Sequence, residues 1–138
     1  EPILTYDLDI FFKMSEEPKG LVNLSPIYQY LKTKGYHEDK EHIVIENIPV
    51  QFIPVYNDLV KEAVENAVAI DYQKIKTKVV NKEYLIAIML QTFRPKDKER
   101  IIMLLGEKKI DVKLLDEILV KYNLVEKYNK FLKVYYEK

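Results

Sequence analysis

Two aspartates near the start of the chain, Asp7 and Asp9, are spaced so that their carboxylates could bind one metal ion. On a β-strand, residues two positions apart project from the same face, so both carboxylates would stand together. Such like charges repel unless a cation between them removes the cost. Mg²⁺ or Mn²⁺ prefers hard oxygen ligands and neutralises the charge that develops on phosphate oxygens during nucleotidyl transfer. The pair therefore predicts a metal site at Asp7 and Asp9.

The same D-x-D spacing also fits the solvated face of an amphipathic strand. The neighbouring residues favour the chemical interpretation, because aspartate is disfavoured in strands, yet these two alternate with Leu8 and Ile10 and precede Phe12. Leu8 and Ile10 are predicted to point from the opposite face into the core.

The elements expected around these aspartates divide the chain into two parts. The first part, residues 1–80, is predicted as an α/β (α+β) core with a small mixed β-sheet and flanking helices. This core is expected to be incomplete at its N-terminus. The second part, residues 81–138, is predicted as a C-terminal helical bundle, in which Asp111 is predicted to cap one of the helices. The predicted elements of the first part are a strand over 3–12, a helix capped by Ser25 and stopped by Gly35, strands at 43–45 and 48–55 around a Glu46–Asn47 turn, a helix capped by Asn57 with Val60, Val64, Ala67 and Val68 as its apolar stripe, and an edge strand over 75–80.

Composition narrows the class of protein. The 138 residues hold 22 basic and 22 acidic side chains and no cysteine, which excludes disulfides and zinc–cysteine sites and argues against a wholly basic nucleic-acid surface. No apolar run reaches about 18 residues, so no membrane span is expected. With no signal-like segment, the cytoplasm is the expected location. The chain begins at Glu1 inside a strand pattern, which indicates an N-terminally truncated sequence.

Four segments resemble one enzyme family. The segment 5–12 is similar to the T-x-D-hydrophobic-D-hydrophobic signature of nucleotidyltransferases of the DNA polymerase beta superfamily, and segments 50–63, 83–90 and 94–97 are similar to its abortive-infection (AbiEii-like) type. The resemblance implies that Asp7 and Asp9 are catalytic and bind the metal. It implies that Arg94 and Lys96 bind the NTP substrate. It further implies transfer of an NMP to a hydroxyl of RNA, protein or a small molecule, and an antitoxin as a partner.

Arg94 and Lys96 stand at the junction of two predicted helices. An arginine there could hold triphosphate oxygens through two hydrogen bonds, and a lysine could add a mobile charge. Alternatively, Arg94 is an ion-pair partner between helices. Asp97 is predicted to cap the second helix.

The sequence departs from the family pattern at three places. The glycine turn that precedes the D-x-D strand is absent, which again indicates an N-terminally truncated sequence. Gln51 stands where relatives often carry a third carboxylate, and Met89 stands where related toxins often have a lysine. Gln51 and Met89 favour the alternative hypothesis, a non-catalytic interaction or nucleotide-sensing module. A third hypothesis is an RNA-binding module that uses the alternating lysines Lys74, Lys76 and Lys78 together with the tyrosines near the C-terminus.

The remaining polar residues favour structural roles. His37 and His42 are interpreted as surface-loop residues, and Glu62 as part of a solvated helix face, although Glu62 falls within the family-like segment. The alternating lysines at 74, 76 and 78 are interpreted as guards of a sheet edge.

Overall fold

The computed structural model describes residues 7–14, 23–107 and 109–136. It is a mixed α/β structure, as predicted, with two small sheets and a helical C-terminal region. Two compact units meet at the Tyr56–Asn57 boundary. The division expected after residue 80 therefore lies inside the second unit, because the helix and hairpin that precede residue 80 belong with the later helices.

A four-stranded sheet forms the first unit, with the order β1-β4-β3-β2. Strand β1 runs parallel to β4, whereas β2, β3 and β4 form an antiparallel meander. The elements of this unit are β1 (Leu8–Phe12), α1 (Ser25–Thr33), β2 (His37–Asp39), β3 (His42–Ile45) and β4 (Ile48–Pro54).

Local sequence signals set the boundaries of these elements. Glu46 and Asn47 both have positive φ, 49° and 65°, as the type I′ turn of a two-residue hairpin requires. Gly35 follows α1 with φ 89°, and the Tyr36 N–H donates to the Leu31 carbonyl at 3.2 Å, which confirms the predicted helix stop. Ser25 is the first helical residue rather than the cap, and its N–H donates to Asn23 Oδ1 at 2.9 Å.

Ile43 and Val50 form the buried centre of the sheet. Leu8 lies in the same row, paired with Val50, but it is 50 % exposed, and Ile10 is 36 % exposed. The prediction that Leu8 and Ile10 enter the core is therefore wrong. Leu8 and Ile10 are exposed because β1 is an edge strand of this sheet and, among the described residues, has a strand neighbour on one side only.

The second unit contains a hairpin and a helical bundle. Its elements are α2 (Asp58–Glu65), β5 (Val68–Tyr72), β6 (Ile75–Val79), α3 (Lys82–Thr92), α4 (Pro95–Leu105), α5 (Val112–Lys121) and α6 (Val125–Phe131), which continues into a π-helical turn at Leu132–Tyr136. Its core is formed by buried aliphatic and aromatic side chains, among them Leu59, Val60, Ile86, Leu90, Ile101, Leu119 and Phe131.

Helix α2 is shorter than the predicted apolar stripe. It ends at Glu65, so Ala67 and Val68 lie outside it, and Val68 begins β5. Sequence reasoning missed β5, which pairs antiparallel with β6.

Helices α2 and α5 begin with side-chain caps. Asn57 Oδ1 accepts from the Val60 N–H at 2.8 Å, and Asp111 Oδ1 accepts from the Leu114 N–H at 3.0 Å, which confirms both predicted caps. The buried Glu83 on α3 accepts the Asp111 N–H at 2.8 Å and so ties the start of α5 to α3. None of the described helices combines the length and apolarity needed to cross a bilayer.

Candidate functional site

Asp7 and Asp9 lie at the beginning of β1. Asp7 immediately precedes the strand, and Asp9 is its second residue. Asp7 Oδ2 lies 3.8 Å from Nε2 of His42, and the strand register puts His42 in the same cross-strand row as Asp9, so the two carboxylates share one face of the sheet. The Asp9 side chain is exposed, and the Asp7 side chain is partly buried at 24 % exposure.

Strand register places a row of polar side chains beside Asp9. Asp9 pairs with Gln51 on β4. On β3, His42 lies one step beyond the Ile43–Val50 pair and is therefore the cross-strand neighbour of Gln51. His42 in turn pairs with Asp39 on β2. The row Asp9–Gln51–His42–Asp39 thus crosses the whole four-stranded sheet on one face.

His42 is the residue of this row that sequence reasoning assigned wrongly. It belongs to β3 and not to a surface loop, and its side chain is only 20 % exposed. Its Nε2 atom lies 3.8 Å from Asp7 Oδ2 and is buried without a hydrogen-bond partner among the described residues. The available signal was its position before Ile43-Val44-Ile45, which makes His42 the first residue of that strand and places it on the face opposite Ile43.

The donor set suits a hard divalent cation held by few protein ligands. Mg²⁺ commonly uses one or two carboxylates, with waters and phosphates completing its shell. Asp7 and Asp9 can supply those oxygens, and the Gln51 carbonyl oxygen is a further hard donor in the same row. Across residues 7–14, 23–107 and 109–136, no group of three or more His, Asp and Glu side chains is arranged to hold a metal. The hard oxygen donors of Asp7, Asp9 and Gln51 are of the type that Mg²⁺ and Mn²⁺ bind.

Arg94 and Lys96 occupy the N-terminal end of α4, in the second unit. The Arg94 guanidinium binds Asp97 through two contacts, Nε to Oδ2 at 2.9 Å and Nη2 to Oδ1 at 3.1 Å, while remaining 55 % exposed. Of the two predicted roles for Arg94, the ion pair is therefore present, but it lies within one helix end and not between helices. Lys96 is exposed.

Asp97 is fully buried and organises this helix end. Its Oδ2 accepts the Arg94 backbone N–H at 2.9 Å and the Thr92 hydroxyl at 2.8 Å. Burial by itself would raise the pKa of Asp97, but hydrogen bonds from Arg94 and Thr92 outweigh it and hold the pKa below its ordinary value. The predicted capping role is confirmed in a modified form, because Asp97 caps α4 from its third residue.

Two further cations flank Phe93, the residue before Arg94. The Nζ atoms of Lys98 and Lys127 each lie 4.6 Å from the centre of the Phe93 ring. Phe93 itself ends α3 in the left-handed conformation, with φ 49° and ψ 35°. This arrangement could not be predicted from the sequence, because Lys127 reaches it from α6. The result is a concentration of positive charge next to Arg94, which suits a polyphosphate.

Glu62 has a structural role in the second unit. Its carboxylate accepts hydrogen bonds from the Tyr84 hydroxyl at 3.1 Å and from the Tyr122 hydroxyl, and it pairs with Lys121 Nζ at 2.8 Å. Burial and the bond to Glu62 raise the pKa of Tyr84 to about 12. Burial opposes ionisation of Glu62, but its bonds to Lys121 and the two tyrosines lower its pKa. The interpretation of Glu62 as a solvated face is therefore wrong.

No family model and no curated protein sequence matches this chain. The assignment of a function depends on the residues and geometry described above.

Proposed function

We propose that this chain supplies metal-binding and triphosphate-orienting groups of a nucleotidyltransferase that moves an NMP from an NTP to a hydroxyl acceptor. The observation that carries the proposal is the pair Asp7 and Asp9 on one face of β1, in register with Gln51 and beside His42. Two carboxylates at one end of a sheet, with a hard amide oxygen in the same row, match the ligands of a magnesium site for phosphoryl chemistry.

Each residue has a specific task in this proposal. Asp7 and Asp9 would hold Mg²⁺ or Mn²⁺, which supplies charge neutralisation on the phosphate oxygens when bound. Arg94, fixed by the buried Asp97, presents its exposed guanidinium in a defined direction toward triphosphate oxygens. Lys96 adds a mobile positive charge at the same helix end. The acceptor hydroxyl could belong to RNA, protein or a small molecule, and an antitoxin would be the regulatory partner.

A second candidate function is favoured by Gln51. It stands directly beside Asp9 in the register, where a carboxylate could take the proton of an attacking hydroxyl. An amide cannot accept that proton near neutral pH. A nucleotide-sensing or interaction module that binds metal and NTP without turnover accommodates Gln51 more easily.

Metal binding is the direct test of the carboxylate pair. We would titrate Mn²⁺ into the full chain and follow free Mn²⁺ by electron paramagnetic resonance, comparing the wild type with an Asp7→Asn/Asp9→Asn double variant. The double variant should bind at least tenfold more weakly, since it keeps the shape of the site and loses both charges. Asp116→Asn, which removes one exposed carboxylate from α5, is the control and should bind like the wild type. Equal Mn²⁺ affinity in the wild type and the double variant would disprove the site.

Turnover then separates the two candidate functions. Incubation with α-labelled NTPs and cellular RNA or protein should transfer label in the enzyme case, and the double variant should abolish that transfer. Retained Mn²⁺ and NTP binding without any label transfer would support the sensing module.

A further inference from the structure

The β5–β6 hairpin presents an apolar face to solvent. All ten residues of its two strands are exposed, with Tyr72 at 64 % and Ile75 at 68 %. Cross-strand pairs share a face, and the pairs Val68–Val79, Ile70–Thr77 and Tyr72–Ile75 place the apolar side chains together. A two-stranded hairpin of this kind is marginally stable by itself, and further strands or packing stabilise it.

Among the described residues, neither outer edge of this hairpin pairs with another strand, and the two edges differ in charge. The turn residues Gln73 and Lys74 both have positive φ, the mark of a two-residue type I′ turn. In that geometry the flanking Tyr72–Ile75 pair is hydrogen-bonded, so the backbone N–H and C=O groups that point outward alternate along each strand. They belong to Ala69 and Asp71 on β5.

On β6 the outward groups belong to Lys76 and Lys78. Antiparallel pairing of β6 with a second β6 would therefore set lysine opposite lysine in every register that satisfies these groups. Like charges directly opposite each other destabilise a strand pair. The β6 edge is thus protected against self-pairing by Lys76 and Lys78.

The β5 edge lacks this protection. We propose that β5 pairs antiparallel with β5 of a second copy of this chain, about a two-fold axis at Ile70. In this register the outward groups of Asp71 meet those of the second copy's Ala69, and Ile70 packs against its own counterpart. The result is a continuous four-stranded sheet with the order β6-β5-β5-β6.

Charge complementarity favours this register over its neighbours. One row of the joined sheet reads Lys78, Ala69, then Asp71 and Lys76 of the second copy. Because the Ala69 side chain is small, Lys78 can reach across it to the second copy's Asp71. Moving the axis to Asp71 would instead place two aspartates directly opposite each other.

A depression at the base of the hairpin lies beside this register. Val68 and Val79 line it together with Leu85, Leu104 and Leu114, and charged residues such as Lys82 and Glu107 also line it. Antiparallel pairing sets Tyr72 of one copy opposite Val68 of the other, so the exposed tyrosine ring meets the depression at its rim. Because only two five-residue strands meet edge to edge, we expect the interface to bury less than the roughly 1,200 Å² typical of stable complexes, so the dimer should be concentration dependent.

Sedimentation equilibrium of the full chain tests this proposal over about 1 µM to 1 mM, the range in which small interfaces associate. The wild-type mass should rise from 16.4 kDa toward twice that value. Asp71→Pro removes one outward N–H and should weaken association at least tenfold, whereas Lys76→Pro removes the equivalent N–H on β6 and should not. Proline is tolerated on an edge strand when its nitrogen faces solvent, so both variants should keep their fold by circular dichroism.

A second pair of variants decides the case if a proline variant fails to fold. Ile70→Lys places two ammonium groups opposite each other on the axis and should weaken association at least tenfold. Thr77→Lys adds the same charge to the same face on β6 and should leave association unchanged. A wild type that stays monomeric to about 1 mM, or association that Ile70→Lys leaves intact, would overturn the proposal.

Discussion

Replacing Asp97 with asparagine should destabilise the second unit strongly, although the side chain keeps its shape. The carboxylate is fully buried and accepts from the Arg94 N–H, the Thr92 hydroxyl and the Arg94 guanidinium. Hydrogen bonds to a charged acceptor contribute about 1.5–3 kcal/mol each, and the loss of a helix cap costs about 1 kcal/mol. Water screens the guanidinium, which is more than half exposed, so its contribution is at most about 1 kcal/mol.

The Arg94 N–H bond is itself the cap, and asparagine keeps one acceptor oxygen, so only part of these contributions is lost. A loss of about one charged hydrogen bond and the guanidinium contact gives about 3 kcal/mol for Asp97→Asn, which corresponds to a fall in Tm on the order of 10 °C for a chain of this length. Thermal and urea unfolding followed by circular dichroism would measure it, with Glu99→Gln on the exposed face of the same helix as control. Because the folded pKa of Asp97 is lowered, its contribution is present above the unfolded pKa, about 3.9, and is lost as the pH falls through the lower folded value. The difference between wild type and variant should accordingly shrink in acid. A loss of unfolding free energy below about 0.5 kcal/mol at pH 7, the size of an ordinary surface substitution, would show that the Asp97 carboxylate does not stabilise the second unit.

The remaining predictions concern two other polar contacts of the second unit. Glu62→Gln should lower the pKa of Tyr84 from about 12 toward the ordinary 10, because the hydroxyl loses a charged hydrogen-bond acceptor. Absorbance at 295 nm follows this ionisation, and an unchanged titration curve would contradict the prediction. Since the folded pKa of Tyr84 is raised, wild-type stability should be complete below about pH 10 and decline as the pH rises toward 12. Asn57→Ala should cost about 1–2 kcal/mol in urea unfolding, because it loses the cap on Val60 and the bond to Gln91. Asn57→Asp keeps the cap but loses the amide that donates to Gln91, so it should recover about half of that loss.

Features fixed by neighbouring residues were predictable from the sequence. The Glu46–Asn47 turn, the Gly35 stop and the Asn57 and Asp111 caps depend on the conformational preferences of a few adjacent residues. The hairpin strand β5 was missed because Val68 continues the apolar spacing of α2. In addition, the turn at residues 73–74 contains no glycine, the residue that usually indicates a two-residue hairpin turn in a sequence.

Features that depend on packing could not be predicted. His42 approaches Asp7 only because β3 and β1 flank β4, an order that no local pattern encodes. The exposure of Leu8 likewise follows from the outer position of β1. In the second unit, Asp97 was expected to cap α4, but its complete burial and its two contacts with the Arg94 guanidinium could not be predicted from the sequence.

The parallel pairing of β1 with β4 also bears on the order in which the first unit assembles. Strands β2, β3 and β4 follow one another through short turns, so they can associate early, whereas the ladder of β1 joins residue 8 to residue 50 and must close a long loop. We expect β1 to dock last during refolding and to show the weakest amide protection against hydrogen exchange in this sheet. The strand that bears Asp7 and Asp9 would then be the final piece of the sheet to become ordered.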